Sequence, residues 1–132
     1  GSIVTVGSQY GGLAPDQRLY QRYILGWGLD DTITFRKPAA YSASKAGVLG
    51  LTRYLAGIWG SAGVRVNCLS PGGIGSESTP AEFRERFEQR VPLGRMGTPG
   101  DLVGAVVWLL SDASRYVTGQ EIRVDGGVGL WP

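Results

Sequence analysis

Tyr41 and Lys45 place a phenol and an ammonium four positions apart, at the start of a run with helical periodicity. Residues i and i+4 of a helix lie on one face, one turn apart. A phenol titrates near about pH 10 in water, so alone it is a poor proton donor or acceptor at neutral pH. An adjacent cation favours the phenolate, and acid–base catalysis works best when the group titrates near the operating pH. The pair is therefore suited to passing a proton to or from a substrate oxygen. The same spacing also describes a solvated helix face, so its meaning depends on what else the chain carries.

Two further stretches carry candidate chemistry. Ser8 follows the β-branched run Ser2 to Val6, in the position where open α/β sheets place ligand-binding groups. Its hydroxyl suits a hydrogen bond to a substrate oxygen that gains charge; the competing reading is a residue that shapes the turn after a strand. Pro71-Gly72-Gly73-Ile74 ends a second apolar run, and glycines there allow a flat ring to approach the backbone closely. A plain strand-ending turn has the same composition. Cys68 is the lone cysteine and sits within an apolar strand pattern, which reads as a buried, inert thiol. With no histidine in the chain, Ser-His-Asp and Cys-His catalysis are excluded, and little is left to bind zinc.

The elements that must position these residues alternate. A strand at Ser2 to Val6 precedes an irregular stretch with Pro15, Gly26 and Gly28, in which a short helix near Asp16 to Ile24 is expected. Val48, Leu51, Leu55 and Ile58 recur at helical spacing and predict a helix from Tyr41 to about Gly60. A strand from Val64 to Leu69 follows. Thr79-Pro80-Ala81-Glu82 and Thr98-Pro99-Gly100-Asp101 each read as a threonine N-cap with proline at the first helical position. They open a polar helix through about Arg90 and an apolar one through Leu110. A last strand is expected near Glu121 to Val124. Strand, helix, strand, helix, strand is the alternation of an α/β fold with a parallel sheet.

These blocks resemble the C-terminal half of the short-chain dehydrogenase/reductase family. Ser2-Ile3-Val4-Thr5-Val6-Gly7-Ser8 is similar to its fifth strand and catalytic serine. Tyr41-Ser42-Ala43-Ser44-Lys45-Ala46-Gly47 is similar to its catalytic helix. Val64 to Ile74 resembles its sixth strand and nicotinamide loop, and Pro92 to Pro99, Val117 to Gln120 and Val124 to Gly127 resemble its C-terminal segments. The resemblance implies half of a Rossmann-like, doubly wound parallel sheet, with about three strands and flanking helices, as one partial domain over 1–132. It implies Ser8, Tyr41 and Lys45 as catalytic residues. It also implies NAD or NADP held by Tyr41, Lys45, Pro71, Gly72, Gly73, Ile74 and Ser76, where the family often has threonine at the last position. Asn67 and Ser70 are expected to be scaffold.

The sequence departs from the family in two ways. Ser8 and Tyr41 are further apart than in the common arrangement, which marks an insertion at about 16–38 over the substrate side. With Tyr10 to Asp16 before it, this insertion resembles a branch acting on sugar-derived small molecules. The glycine-rich dinucleotide fingerprint and the family's catalytic asparagine are also missing. The expectation is therefore a fragment of an NAD(P)-dependent oxidoreductase that is inactive alone, with truncation, gene loss and proteolysis as its origins. The alternative is a stand-alone binding or assembly module with relict catalytic residues; a non-redox relative is a third.

Composition bounds the partners. A chain of 132 residues with 42% hydrophobic and 18% charged residues suits one modest core. Thirteen basic against eleven acidic residues give +2, too little and too dispersed to call for nucleic acid or an anionic membrane. No apolar run is long enough to span a bilayer, so a cytoplasmic protein is expected. Ser2 to Val6 has no preceding strand to pair with, and an open apolar edge favours pairing with another chain. A homo-oligomer is expected, using this edge, the face of the Tyr41 helix and Gly127 to Trp131.

Overall fold

The computed structural model describes residues 1–20 and 36–130. Three strands, β1 (Ser2–Val6), β2 (Arg65–Pro71) and β3 (Glu121–Val124), form one parallel sheet in the order β1-β2-β3. The register runs from Ser2 opposite Arg65 to Val6 opposite Leu69, and from Cys68 opposite Glu121 to Pro71 opposite Val124. Between the strands lie α1 (Ala39–Trp59), α2 (Ala81–Glu88) and α3 (Gly100–Leu110). This is the expected α/β architecture. The predicted helix near Asp16 to Ile24 is one tight turn, Gln17–Tyr20; the rest of that prediction lies outside the described residues, as does most of the insertion.

Side chains of β1 show how the layers are arranged. The Ser2 hydroxyl donates to the carbonyl of Leu109 in α3, and the Thr5 hydroxyl hydrogen-bonds the Thr52 hydroxyl of α1 at 2.7 Å. Positions three apart on a strand face opposite sides. α1 and α3 therefore cover opposite faces of the sheet, the double winding that the resemblance implies. β2 is the central strand, and Val66, Asn67, Cys68 and Ser70 in it have no exposure. Asn67 is scaffold, as expected: its Nδ2 donates to Val117 O and its Oδ1 accepts from Gln120 N. β1 is only half-buried, since β2 pairs with one side of it.

The helix starts differ from the sequence reading. Proline is the cap residue at all three, and no side chain caps any of them. The Thr79 hydroxyl turns back to accept from Ser76 N. At the other site the acid does the work, as Asp101 Oδ2 accepts from both Thr98 N and Thr98 Oγ1. α1 also packs by another face than its leucine stripe suggests. Thr52 and Ala56 are buried, whereas Leu51 and Ile58 are about half exposed, at 51% and 50%. Small side chains on the inner face let the helix approach the sheet closely.

An apolar cluster lies beyond the C-terminal ends of the strands. Leu19, Tyr20, Phe87, Val91 and Met96 form it, with Tyr10, Phe83 and Val128 against its edge. Tyr20 and Phe83 lie 5.6 Å apart between ring centres, and Phe83 and Phe87 5.8 Å.

Candidate active site

Ser8, the Gly72-Gly73 turn and Asp125-Gly126 each follow a strand, so all three gather at the carboxyl edge of the sheet. That edge is where open parallel sheets bind ligands. β1 is joined to Ser8 by Gly7, whose N–H donates to Leu69 O. A Cβ on Gly7 would lie 2.6 Å from Ser70 Oγ and 2.8 Å from Cys68 Sγ, so this turn requires glycine. Ser8 is buried, and its Oγ accepts from Tyr10 N at 3.2 Å. Its own proton remains available to a substrate oxygen.

Tyr41 and Lys45 fall in the first turns of α1. Lys45 Nζ donates to Val6 O at 3.1 Å and lies 5.8 Å from the centre of the Tyr41 ring. The turn after Ser8 packs on the same part of the helix, because a Cβ on Gly11 would meet the Lys45 carbonyl at 2.9 Å. The structure thus brings the Ser8 loop, Tyr41 and Lys45 to one corner. It adds Lys37, which the sequence reading missed, with Nζ 4.2 Å over the Tyr41 ring, in range of a cation–π attraction. Gln17 clamps the Lys37 backbone through both polar atoms of its side-chain amide: Lys37 N donates to Oε1 at 3.0 Å, and Nε2 donates to Lys37 O at 3.3 Å.

The loop after β2 is ordered by the protein itself. A Cβ on Gly72 would lie 2.6 Å from Asp125 Cα, and one on Gly73 would lie 2.4 Å from the Phe87 ring. The flat ring against Gly73 is therefore a side chain of this chain. Ile74 bridges to Gly97, with Gly75 N donating to Gly97 O and Gly97 N to Gly73 O. In that pattern the N–H and C=O of Ile74 itself face away from the bridge, and neither has a protein hydrogen bond among the described residues. The Ser76 hydroxyl is shared with Ser78 at 2.9 Å and Thr79 at 3.3 Å. Arg95 grips Asp101 with two bonds, at 2.8 and 2.7 Å, and so ties the segment before α3 to that helix.

A nicotinamide fits this edge. Ile74 offers one free donor and one free acceptor on adjacent backbone groups, the complement of a carboxamide, and Lys45 offers an ammonium beside Tyr41. The described residues hold no group of three or more His, Cys, Asp or Glu side chains fit for a metal ion.

Beside Ser8 lies a cavity of about 360 Å³, walled by the segment from Gln9 to Leu19 and the end of α2. The Tyr20 hydroxyl donates to the Tyr10 hydroxyl across 3.0 Å. Burial holds both phenols protonated, pushing each above its ordinary range; the Tyr20 shift is raised further by its bond to Tyr10. Asp16 accepts from Arg18 and from Arg90, 74 positions away. Its carboxyl is held well below the carboxylate range, first by the Arg18 hydrogen bond and also by Arg90, against an opposing push from burial. Nothing in the sequence marks the Asp16–Arg90 pair, because only the fold brings the two together.

Comparison with known proteins places these features. A family model described as Enoyl-(Acyl carrier protein) reductase matches residues 29–129. L-rhamnose 1-dehydrogenase (NAD(P)(+)) of Azotobacter vinelandii is 45% identical over 93 residues, 67% of this chain and 36% of the relative. The 2-dehydro-3-deoxy-D-gluconate 5-dehydrogenase of Escherichia coli is 43% identical over 93 residues, 67% of this chain and 37% of the relative. Among solved structures, a short-chain dehydrogenase from Leptospira borgpetersenii with bound NAD+ superposes with a TM-score of 0.83 at 40% identity, over 98% of this chain and 44% of that one. A gluconate 5-dehydrogenase from Burkholderia cenocepacia, in complex with NADP and tartrate, gives 0.80 at 29% identity, over 100% and 46%. The chain spans under half the length of these relatives.

Proposed function

The chain belongs to the short-chain dehydrogenase/reductase family, and we propose that it carries the proton-handling, substrate-side half of an NAD(P)-dependent oxidoreductase acting on a carbonyl/alcohol pair. The observation that carries this reading is the corner in which Lys45 reaches Val6 O while the Ser8 loop packs on the Lys45 turn beside Tyr41. Nicotinamide, when bound, supplies the hydride to the carbonyl carbon or takes it from the carbinol carbon. Tyr41 gives its hydroxyl proton to the carbonyl oxygen in one direction and takes it from the alcohol in the other. Ser8 donates a hydrogen bond to that same oxygen and steadies its charge. Lys45 sets a positive charge beside the phenol and, with Pro71, Ile74 and Ser76, holds the nicotinamide end, while Gly72 and Gly73 let the loop close on Asp125 and Phe87.

The substrate class we favour is a sugar-derived alcohol or acid, in keeping with the names of the relatives. A buried free thiol at Cys68 suits a reducing compartment such as the cytoplasm. No helix among the described residues is long and apolar enough to cross a membrane.

The test is Tyr41→Phe in the intact protein, with hydride transfer followed by nicotinamide absorbance. The expected fall in kcat is about a hundredfold to ten-thousandfold, the usual worth of acid–base catalysis, with unchanged circular dichroism. A variant that keeps nearly all of its rate contradicts the assignment.

One observation favours a second role, in assembly. Leu51, Tyr54 and Ile58 on α1 and Val103 and Val107 on α3 are 50% to 65% exposed. These surfaces suit a homo-oligomer. A monodisperse monomer in light scattering at micromolar concentration contradicts that role.

A further inference from the structure

We propose that the cavity between the Ser8 turn and the end of α2 is a subsite for hydroxycarboxylic acids. In it Arg90 takes the carboxylate, and Gln9 with Tyr10 takes a hydroxyl group. The inference rests on the oxidoreductase reading, since the cavity begins at the residue after Ser8 and would receive the part of the substrate away from the reacting carbon.

Charge comes first. Among the described residues, Asp16, Arg18 and Arg90 are the charged side chains on the cavity wall, two cations around one anion. Asp16 engages Arg90 through Nη1 alone, and no other protein group among the described residues accepts from that guanidinium. Arg90 is about one-third exposed, whereas Arg18 is 78% exposed at the rim. One unbalanced positive charge, on a planar group with a free edge, matches a single carboxylate.

Hydroxyl recognition follows from Gln9 and Tyr10, which also line the cavity. Gln9 is 3% exposed, and its Oε1 is buried with no hydrogen-bond partner. A buried acceptor without a donor is costly, and a ligand hydroxyl would satisfy it. The Tyr10 hydroxyl accepts from Tyr20, so its own proton is left to donate. Neighbouring residues thus present one acceptor and one donor, which is what a hydroxyl, both donor and acceptor, requires. The raised titration of Tyr10 keeps that donor in place at neutral pH.

Three four-carbon probes separate the two halves of the site in titration calorimetry of the intact protein: D-erythronate with charge and hydroxyls, butyrate with charge alone, and erythritol with hydroxyls alone. The expected order is erythronate tightest, butyrate weaker and erythritol weakest. Arg90→Gln should weaken erythronate by about tenfold or more, the worth of a charged hydrogen bond. Gln9→Met should bring erythronate down to the level of butyrate. Asp16→Asn guards against a purely structural role for the ion pair. The subsite predicts that it binds erythronate at least as well as the parent, because a competing anion is gone, whereas a structural pair predicts loss in both variants. Equal binding of erythronate and erythritol, or erythronate binding unchanged in Arg90→Gln, overturns the proposal. Arg90-dependent binding in a protein with no hydride transfer keeps the subsite and removes the oxidoreductase reading. Hydride transfer on erythronate that is unaffected by Arg90→Gln does the reverse.

Discussion

The carboxyl edge of the sheet and the outer faces of its helices are built on opposite plans. At the edge, the end of α2 and segments with little regular structure are closely packed: Leu19, Tyr20, Phe87, Val91 and Met96 are each 8% exposed or less, and Gly7, Gly72 and Gly73 leave no room for a methyl group. On the flanks, long regular helices leave Leu51, Tyr54, Ile58, Val103 and Val107 half exposed or more. Outside the central strand β2, regularity is thus a poor guide to where this molecule is fixed. Packing at the edge sets the Ser8 turn against the first turns of α1, which carry Tyr41 and Lys45. The outer faces of α1 and α3 present a surface.

The largest expected effect separates the two regions directly. Phe87→Ala removes the ring that fills the space above Gly73 and should cost about 3 to 5 kcal/mol. Leu51→Ala, on the exposed flank, should fall within about 0.5 kcal/mol in the monomer. Urea unfolding measures both, and equal costs would erase the distinction between edge and flank.

Glycine substitution sharpens the same contrast with smaller numbers. Gly72→Ala forces a methyl against the backbone of Asp125 and should destabilise by about 1 to 3 kcal/mol. A Cβ on Gly50 in α1 meets nothing within 4 Å, so Gly50→Ala should stabilise by up to about 1 kcal/mol. A loss at both positions would contradict the account of the flank.

The smallest effect is on the acid side. Asp16 is held below the ordinary carboxylate range, so its ion pairs contribute stability that is present above about pH 4 and lost as pH falls through its folded value. Asp16→Asn should lower stability at neutral pH and flatten its decline below about pH 4. A decline as steep as the parent's would show that the Asp16 pairs are not part of it.

What was legible in the sequence follows from the same contrast. The alternation of short β-branched runs with periodic apolar helices is local, and β1, α1, β2, α3 and β3 fall within a few residues of their expected bounds. The places of Ser8, Tyr41 and Lys45 in the fold were legible because Ser8 follows, and Tyr41 and Lys45 lie in, elements that the pattern predicts. The inner face of α1 was not, because the leucine stripe is the louder signal while Thr52 and Ala56 make the contact with the sheet. The reason for Gly72 and Gly73 was not legible either, since Asp125 and Phe87 approach them only in the folded chain. Lys37 over Tyr41 and Arg90 on Asp16 are pairings across the fold, and no local spacing announces them.

The measurement that bears most directly on the central claim is a fluorescence titration of the intact protein with NADH and NADPH, in parent and Lys45→Met forms. The account predicts saturable enhancement of nicotinamide emission in the parent and its loss in the variant, because Lys45 and the free backbone groups of Ile74 form the nicotinamide end of the site. No enhancement in the parent at millimolar cofactor, or enhancement indifferent to Lys45, contradicts it.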